Sequence, residues 1–429
     1  MTTMLLMGLT VLVLLGAGFP IALVLGVTGV IWTWLYNPAF MAGIAHTVFN
    51  TASSETLIAI PLFILMGQIV QHSRIAERFY DAVATWLRFL PGGLLHANVS
   101  VSAVFSAVSG SSVATAATVA TAALPSLEKL NYDRRLSTGT LAAGGTLGIL
   151  IPPSIPLIVY GSLVEESIGS LFIAALLPAL MVVALFHVYI FIRALMDPSI
   201  APATNKPAGP AITMLQSLAA ILPVVTIVVV VLGGIYTGWT TSTEAAALGA
   251  FMALSVAAMQ GNLSRGLIKR VLGETGTLTA MMIFIVIGAQ IFSFAVYTWG
   301  INTQIGRFVG ALDMPSYVIL GFIVLVYLIL GMFVDALSLM LMTLAVVHPI
   351  IVNLGYDPIW FGIVLVLLLE VGLITPPVGM NLFTIKAVNP KIPLKDIGYG
   401  SLPFVAIVLI SVGLLIAFPK IVLWLPFNM

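Results

Sequence analysis

Long apolar stretches separated by short polar segments occupy most of this 429-residue chain and predict a bundle of transmembrane helices. A helix needs about 20 apolar residues to cross a bilayer. Turn-forming residues and charges are concentrated between the stretches, as expected for connecting loops. The apolar stretches lie near 2–17, 19–36, 56–72, 94–128, 136–163, 168–196, 213–236, 241–260, 276–297, 318–350, 359–385 and 396–418.

Two of these stretches, 94–128 and 318–350, are too long for one crossing and too short for two crossings with a loop. Small or polar residues interrupt the middle of each, such as Gly110 in the first and Gly331 and Asp335 in the second. We predict two re-entrant helical hairpins, which enter the membrane and return to the same side. The backbone at such a tip must face protein, water or a solute, because lipid cannot satisfy its polar groups.

A short motif also occurs twice, at an offset of 224 residues, and each copy places a Gly and a Pro-Pro pair inside an apolar stretch. The two copies are Gly148-Ile149-Leu150-Ile151-Pro152-Pro153 and Gly372-Leu373-Ile374-Thr375-Pro376-Pro377. At the same offset, Pro125 and Leu130-Asn131-Tyr132-Asp133 recur as Pro349 and Leu354-Gly355-Tyr356-Asp357. Paired, interrupted hydrophobic segments in two halves of a chain indicate the binding site of a secondary transporter.

The predicted fold is therefore an all-α polytopic membrane protein with two repeats, each containing a hairpin and a broken transmembrane helix. An odd number of full crossings per repeat would place the second copy upside down, giving inverted topology. The boundaries are 1–196 for the first repeat (hairpin about 94–128, broken helix about 136–163), 197–212 for a linker, and 213–429 for the second repeat (hairpin about 318–350, broken helix about 359–385).

The distribution of basic residues predicts that the N-terminus lies outside the cell membrane. With that orientation only Arg307 and Lys420 are external, which agrees with the positive-inside rule. The alternative, in which 2–36 is one long tilted span, would reverse the N-terminus. The residues placed in the cytoplasm are Arg74, Arg78, Arg88, Lys129, Arg134, Arg135, Arg193, Lys206, Arg265, Lys269, Arg270, Lys386, Lys391 and Lys395.

Charged and apolar residues alternate at helical spacing over 73–93, which predicts an amphipathic helix lying in the membrane interface. Residues 261–275 have a similar pattern and are predicted to be its counterpart in the second repeat.

Composition narrows the function classes. Hydrophobic residues make up 60% of the chain and charged residues 7%, against about 25% charged residues in soluble domains. A net charge of +1 argues against nucleic acid as a partner, and the absence of cysteine excludes disulfide and thiolate chemistry. The chain has no Walker A motif and no paired residues typical of an intramembrane enzyme, so a transporter is favoured over an ATPase or an enzyme. A channel is disfavoured because an inverted repeat with paired sites suits alternating access better than a continuous pore.

The serine-rich tip near Ser109 and the break after Gly148 offer carbonyl and hydroxyl oxygens for a cation such as Na⁺. Helix ends at a break also carry partial charges, so an anion can bind at the N–H side. Two equivalent copies predict two ions. The alternative is that the small residues only permit close helix packing.

Asp335 and Glu370 are the acids predicted to lie at membrane depth, where ionisable groups indicate function. Two interpretations remain open for them. Either residue could carry a proton in a coupled transport cycle, or both could accept hydrogen bonds from nearby helix ends.

Six motifs spread over the chain are informative in combination. They are Ile60-Pro61-Leu62-Phe63-Ile64-Leu65-Met66-Gly67, Ser109-Gly110-Ser111-Ser112-Val113-Ala114-Thr115, Ile151-Pro152-Pro153-Ser154, Glu244-Ala245-Ala246-Ala247, Gly331-Met332-Phe333-Val334-Asp335 and Thr375-Pro376-Pro377-Val378-Gly379. Together they resemble the large, DctM-like membrane subunit of tripartite ATP-independent periplasmic (TRAP) transporters. The resemblance extends over essentially the whole chain.

This resemblance implies Na⁺-coupled import of an organic acid, such as a C4-dicarboxylate, sialic acid or sugar acid, by an elevator mechanism across the bacterial inner membrane. It also implies two partners, a small four-helix membrane subunit and a periplasmic substrate-binding protein. A stand-alone Na⁺- or H⁺-coupled di- or tricarboxylate symporter, which needs no binding protein, is the alternative.

The resemblance further implies which residues form the sites. The first ion site would use Ser106, Ser109, Gly148, Ile151 and Pro153, and the second Gly331, Gly372, Thr375 and Val378. The substrate would contact Ser111, Ser112, Thr115, Asp335 and Asn381.

Overall fold

The chain is almost entirely α-helical in a computed structural model, which describes residues 2–73, 75–202, 214–311 and 314–428. No strand occurs in these ranges. Arg74, Lys206 and positions 203–212 of the predicted linker lie outside the described residues.

The first half of the chain forms ten helices. They are α1 (Thr2–Gly16), α2 (Ile21–Tyr36), α3 (Met41–Ala52), α4 (Ala59–His72), α5 (Ile75–Leu87), α6 (Leu94–Ser109), α7 (Ser112–Lys129), α8 (Arg134–Thr146), α9 (Ile155–Val164) and α10 (Ile168–Met196). Short 3₁₀ turns lie at Pro38–Phe40, Glu55–Ile58, Leu147–Ile149 and Pro198–Ile200.

The described part of the second half also forms ten helices. They are α11 (Met214–Tyr236), α12 (Ser242–Met259), α13 (Arg265–Thr298), α14 (Ile301–Ala311), α15 (Ser316–Gly331), α16 (Ala336–Asn353), α17 (Pro358–Ile374), α18 (Met380–Val388), α19 (Leu394–Ala417) and α20 (Lys420–Asn428).

Within the described ranges, seven helical segments are long and apolar enough to cross a membrane by themselves, which confirms the all-α polytopic class. Residues 2–36 form two helices rather than one long span, because Gly18 turns the chain with a φ of 83° and Pro20 precedes α2. The seven segments are Glu55–His72, Ile168–Met196, Leu215–Tyr236, Ser242–Met259, Arg265–Thr298, Ala336–Asn353 and Leu394–Ala417.

The repeated motifs adopt the same local structure in both halves. Asn131 and Gly355 each have a positive φ, 54° and 82°, and end the preceding helix. Asp133 and Asp357 then cap α8 and α17, accepting the backbone N–H three residues further on at 2.7 and 3.0 Å. Short polar side chains at this position satisfy N–H groups that have no partner in the helix.

Helices are interrupted at the positions of both predicted hairpins and of both predicted breaks. Helices α6 and α7 are separated by two residues, and α15 and α16 by 332–335. Helix α8 ends before α9 at 147–154, and α17 ends before α18 at 375–379. The Pro-Pro bond in each of these breaks is cis.

The prediction of a separate amphipathic helix over 261–275 is wrong. Helix α13 runs without interruption from Arg265 to Thr298, because single glycines such as Gly273 weaken a helix by about 1 kcal/mol without ending it. The segment 224 residues after α5 is α14, which begins at Ile301, so α14 is the positional counterpart of α5.

The broken helices form the centre of the protein. All residues of α17 from Trp360 to Ile374 are buried, as are those of α8 from Leu136 to Thr146. The first break is also buried apart from the half-buried Ile151, whereas Pro377 in the second break is exposed. Irregular backbone at membrane depth must face protein, water or a solute.

Candidate binding site at the hairpin tips

The tips of both hairpins line one cavity of about 470 Å³. The first hairpin contributes Gly110, Ser111 and Ser112, and the second contributes Asp335 and Ser338. The cavity thus combines polar residues from two segments that are more than 200 positions apart in the sequence.

The opposite wall of this cavity is apolar and comes from α2 and α13. It includes Ile21 from α2 and Met281, Phe284 and Ile285 from α13. These residues are not among the predicted site residues, since an apolar residue facing a cavity has the same sequence pattern as one facing lipid.

The first hairpin tip is held by hydrogen bonds between its own residues. The hydroxyl groups of Ser109 and Thr115 lie 2.6 Å apart, and the hydroxyl of Ser109 also lies 3.3 Å from the carbonyl oxygen of Ser111. The side chain of Ser111 caps α7 at 3.4 Å. The hydroxyl of Ser106 donates to the carbonyl of Ser102 at 2.6 Å, so only its carbonyl oxygen faces the tip, where it accepts the N–H of Gly110.

This tip lies directly against the first break. A Cβ atom on Gly148 would be 2.5 Å from the carbonyl oxygen of Ser111, and one on Gly110 would be 2.9 Å from that of Pro153. Only glycine permits these approaches. The predicted ion-site residues Ser109, Gly148 and Pro153 are therefore close together, and Ile151 lies in the same break with its N–H bonded to the carbonyl of Leu147.

The second tip approaches the second break through the same kind of glycine contact. A Cβ atom on Gly372 would be 2.5 Å from the carbonyl oxygen of Gly331. The hydroxyl of Thr375, in contrast, donates to the carbonyl of Val371 in its own helix at 2.5 Å. Val378 lies in the same break and is half-buried, so any contribution from it to an ion site is through its backbone.

We call the approach of Gly148 to Ser111 and that of Gly372 to Gly331 the two tip-and-break contacts. Both bring together backbone carbonyl oxygens, which are the kind of ligand that Na⁺ requires. Unwound backbone carbonyls at membrane depth can coordinate Na⁺. The first contact adds the hydroxyl of Ser109, whereas at the second the hydroxyl of Thr375 is bonded within its own helix and that of Ser401 donates to the carbonyl of Ile374 at 2.9 Å. The residues present therefore fit an ion at both places.

Two of the predicted substrate contacts lie behind the cavity wall. Asn381 is fully buried, and its amide nitrogen donates to the hydroxyl of Ser112 at 2.8 Å and to the carbonyl of Ala142 at 3.0 Å. Thr115 is also fully buried, where it contacts Ser109. Asn381 thus connects α18 in the second half of the chain to α7 and α8 in the first.

The two predicted membrane acids differ in their surroundings. Asp335 lines the cavity and caps α16, accepting the N–H of Ser338 at 3.1 Å, as a helix-end acceptor does. Glu370 is fully buried, and neither of its carboxyl oxygens has a hydrogen-bond partner within the described ranges. Asp335 therefore accepts a hydrogen bond from a helix end, which is one of the two roles considered for these acids, whereas Glu370 does not.

Hairpin tips that meet broken helices around one cavity, within a bundle of membrane-spanning helices, define a multi-pass membrane protein of the transporter type. Residues 6–421 match the family model "Tripartite ATP-independent periplasmic transporter, DctM component". The chain belongs to this family of transporter permeases.

Curated relatives cover nearly the whole chain. It is 35% identical over 406 residues to the C4-dicarboxylate TRAP transporter large permease protein DctM of Pseudomonas aeruginosa, covering 94% of this chain and 93% of the relative. It is 30% identical to the sialic acid TRAP transporter large permease protein SiaM of Vibrio cholerae, covering 96% of each. The fold is also similar to that in the crystal structure of the Alcanivorax borkumensis YdaH transporter, with a TM-score of 0.65 and 14% sequence identity. The match covers 91% of this chain and 89% of the YdaH chain, so the two share a fold.

Proposed function

We propose that this chain is the large membrane permease of a Na⁺-coupled, binding-protein-dependent importer of an organic acid. The observation that carries the proposal is the shared cavity, in which each hairpin tip is pressed against a broken helix by a glycine contact, at Gly148 and at Gly372. Two ions at these contacts would fix the tips and thereby form the substrate site between them.

An elevator movement would carry this site across the membrane. The hairpins and broken helices would move together, because they are tied by the buried bonds of Asn381. Helices α2 and α13 would belong to the fixed frame. Their cavity-facing residues, such as Met281 and Ile285, are apolar and make no directional bonds that would oppose sliding.

The cavity suits an anion although no basic side chain lines it. Helix N-termini carry a partial positive charge, and those of α7 and α16 both reach the cavity. The carboxylate of Asp335 already compensates the N-terminus of α16. A substrate carboxylate would therefore bind at the N-terminus of α7, beside Ser111 and Ser112.

The names of the relatives support the proposed substrate class. Their names refer to a C4-dicarboxylate and to sialic acid, both of which carry carboxylates. We propose that this permease acts in the bacterial inner membrane with a small four-helix membrane subunit and a periplasmic substrate-binding protein.

Reconstitution tests the proposal. The permease and its small subunit are placed in proteoliposomes, and uptake of a panel of labelled acids (succinate, N-acetylneuraminate and a sugar acid) is measured with and without a Na⁺ gradient. We expect uptake of one acid class only when both the Na⁺ gradient and the cognate binding protein are present. Full-rate uptake by the permease without any binding protein would instead support the stand-alone symporter.

A further inference from the structure

A second cavity, of about 220 Å³, lies between α9, α13, α14 and α16. Its wall contains two buried polar atoms that have no hydrogen-bond partner in the described part of the chain, Asn302 Oδ1 and His348 Nε2. The polar residues Gln290 and Ser293 of α13 line the same cavity. Buried polar groups are nearly always hydrogen-bonded, so two unsatisfied atoms on one wall indicate a polar ligand.

This cavity continues the path that begins at the hairpin tips. On α13, Ile285 lines the hairpin cavity and Ser293 lines the second cavity, about 12 Å further along at 1.5 Å per residue. On α16, Ser338 lines the first and His348 the second. Both helices therefore run from the hairpin cavity to the second cavity, and the predicted orientation directs this path to the external side.

The wall also combines elements of the two proposed mechanical parts. Helices α9 and α16, with Leu163 and His348, belong to the part proposed to move, whereas α13 and α14, with Gln290 and Asn302, belong to the frame. A ligand in this cavity would be held by both parts in this conformation and would lose half of its contacts when one part slides.

We propose that this cavity is an accessory binding site, at which a carboxylate of the transported acid is held between the external side and the hairpin cavity. The identity of the ligand rests on the proposed function. His348 Nε2–H, the amide of Gln290 and the hydroxyl of Ser293 would donate to the carboxylate. The amide of Asn302 would accept a hydroxyl group of the acid, or donate after rotating by half a turn.

The size of the cavity restricts the ligand. A volume of about 220 Å³ is below the roughly 300–1,000 Å³ of pockets for drug-sized molecules. The cavity would therefore hold a small acid completely, or only the carboxylate end of a larger one such as a sugar acid.

The chain has no cysteine, which permits a direct test with a single introduced thiol. Ala345→Cys places this thiol in the cavity wall. Its alkylation rate is measured with iodoacetate, a small carboxylate, and with neutral iodoacetamide, which reports accessibility alone. We expect His348→Leu in the Ala345→Cys background to lower the ratio of the two rates by about tenfold, as for a lost hydrogen bond to a charged group.

His46→Leu in the same background is the matched control, since His46 lies on α3 outside this cavity and bonds to Asn50 at 3.1 Å. It should leave the ratio unchanged. The proposal is overturned if His348→Leu also leaves the ratio unchanged while iodoacetamide still reacts. This measurement needs no transport, so it stands even if reconstituted uptake fails for every acid in the panel.

Discussion

The two tip-and-break pairs share a backbone arrangement but differ in their side chains. At the first pair, hydroxyls and the amide of Asn381 form a buried network around Ser109 and Ser112. At the second pair, the tip is longer, the hydroxyl of Thr375 is bonded within its own helix, and Gly379 begins α18 without a side-chain cap. The glycine contacts are thus common to both copies, whereas this polar network surrounds the first tip and includes Asn381 from the second half of the chain.

This difference suggests how the two copies can divide their tasks. In each copy a glycine of the broken helix lets the backbone of the hairpin tip approach closely, and this approach does not depend on neighbouring side chains. A buried network fixes one geometry more firmly, because each unsatisfied member would be unfavourable. We therefore expect the first pair to be the more rigid ion site, and the second to respond more readily to the substrate.

The largest expected effect is loss of transport on filling either glycine contact. Gly148→Ala or Gly372→Ala would place a methyl group 2.5 Å from a carbonyl oxygen of the facing tip, so the tip has to move. Displacement of a binding group by about 1 Å lowers rates by about 100-fold. We expect a loss of about this size in proteoliposome uptake for both variants.

Gly321→Ala is the control for these substitutions, since a Cβ atom at this position in α15 would have no neighbour within 4 Å. It should transport at the wild-type rate. If only one of the two variants, Gly148→Ala or Gly372→Ala, loses uptake, the glycine contact is required for transport in one copy and not in the other.

The second prediction concerns the polar network around the first tip, which Asn381 of α18 completes. Asn381→Leu would remove the donor to Ser112 and to the buried carbonyl of Ala142, and a buried group without its partner costs about 1–3 kcal/mol. We expect a lower free energy of unfolding in detergent micelles, together with weaker Na⁺ activation of uptake.

Asn389→Leu provides the comparison for Asn381→Leu. The amide of Asn389 bonds to Glu128 at 2.7 Å on the exposed surface, where water replaces a lost partner. Its substitution should lower stability much less. Equal losses for the two variants would show that the buried position of Asn381 has no special importance.

The sequence allowed prediction of those parts of the fold that depend on local signals. The turns before α8 and α17 follow from Asp133 and Asp357, whose capping acts over three residues. The breaks follow from glycine and proline in the same way. These signals do not depend on the rest of the fold, and a helix is interrupted at each copy of the motif.

Contacts between distant segments could not be predicted in this way. The bond from Asn381 to Ser112 joins residues 269 positions apart, and its existence depends on how the two halves pack. The apolar wall at Met281 and Ile285 has no distinguishing sequence pattern. The continuity of α13 past Gly273 was also missed, because packing decides whether a weak position ends a helix.

The smallest expected effect separates the hydroxyl groups of the two predicted ion sites. Ser109→Ala would remove a hydroxyl that lies between Thr115 and the carbonyl of Ser111, and we expect the Na⁺ concentration for half-maximal uptake to rise about tenfold, equivalent to about 1.4 kcal/mol. Thr375→Ala would remove a hydroxyl already bonded to Val371 while leaving the backbone carbonyls in place. Its shift should therefore be at most about twofold, equivalent to about 0.4 kcal/mol.

Thr384→Ala is the baseline for both variants, since its hydroxyl makes the same kind of bond within a helix, to the carbonyl of Met380 at 2.9 Å, on an exposed surface. Its Na⁺ titration should superimpose on that of the wild type. A shift for Thr375→Ala as large as that for Ser109→Ala would mean that the hydroxyl of Thr375 leaves Val371 to bind the ion. The two copies would then be equivalent as ion sites despite their different side-chain networks.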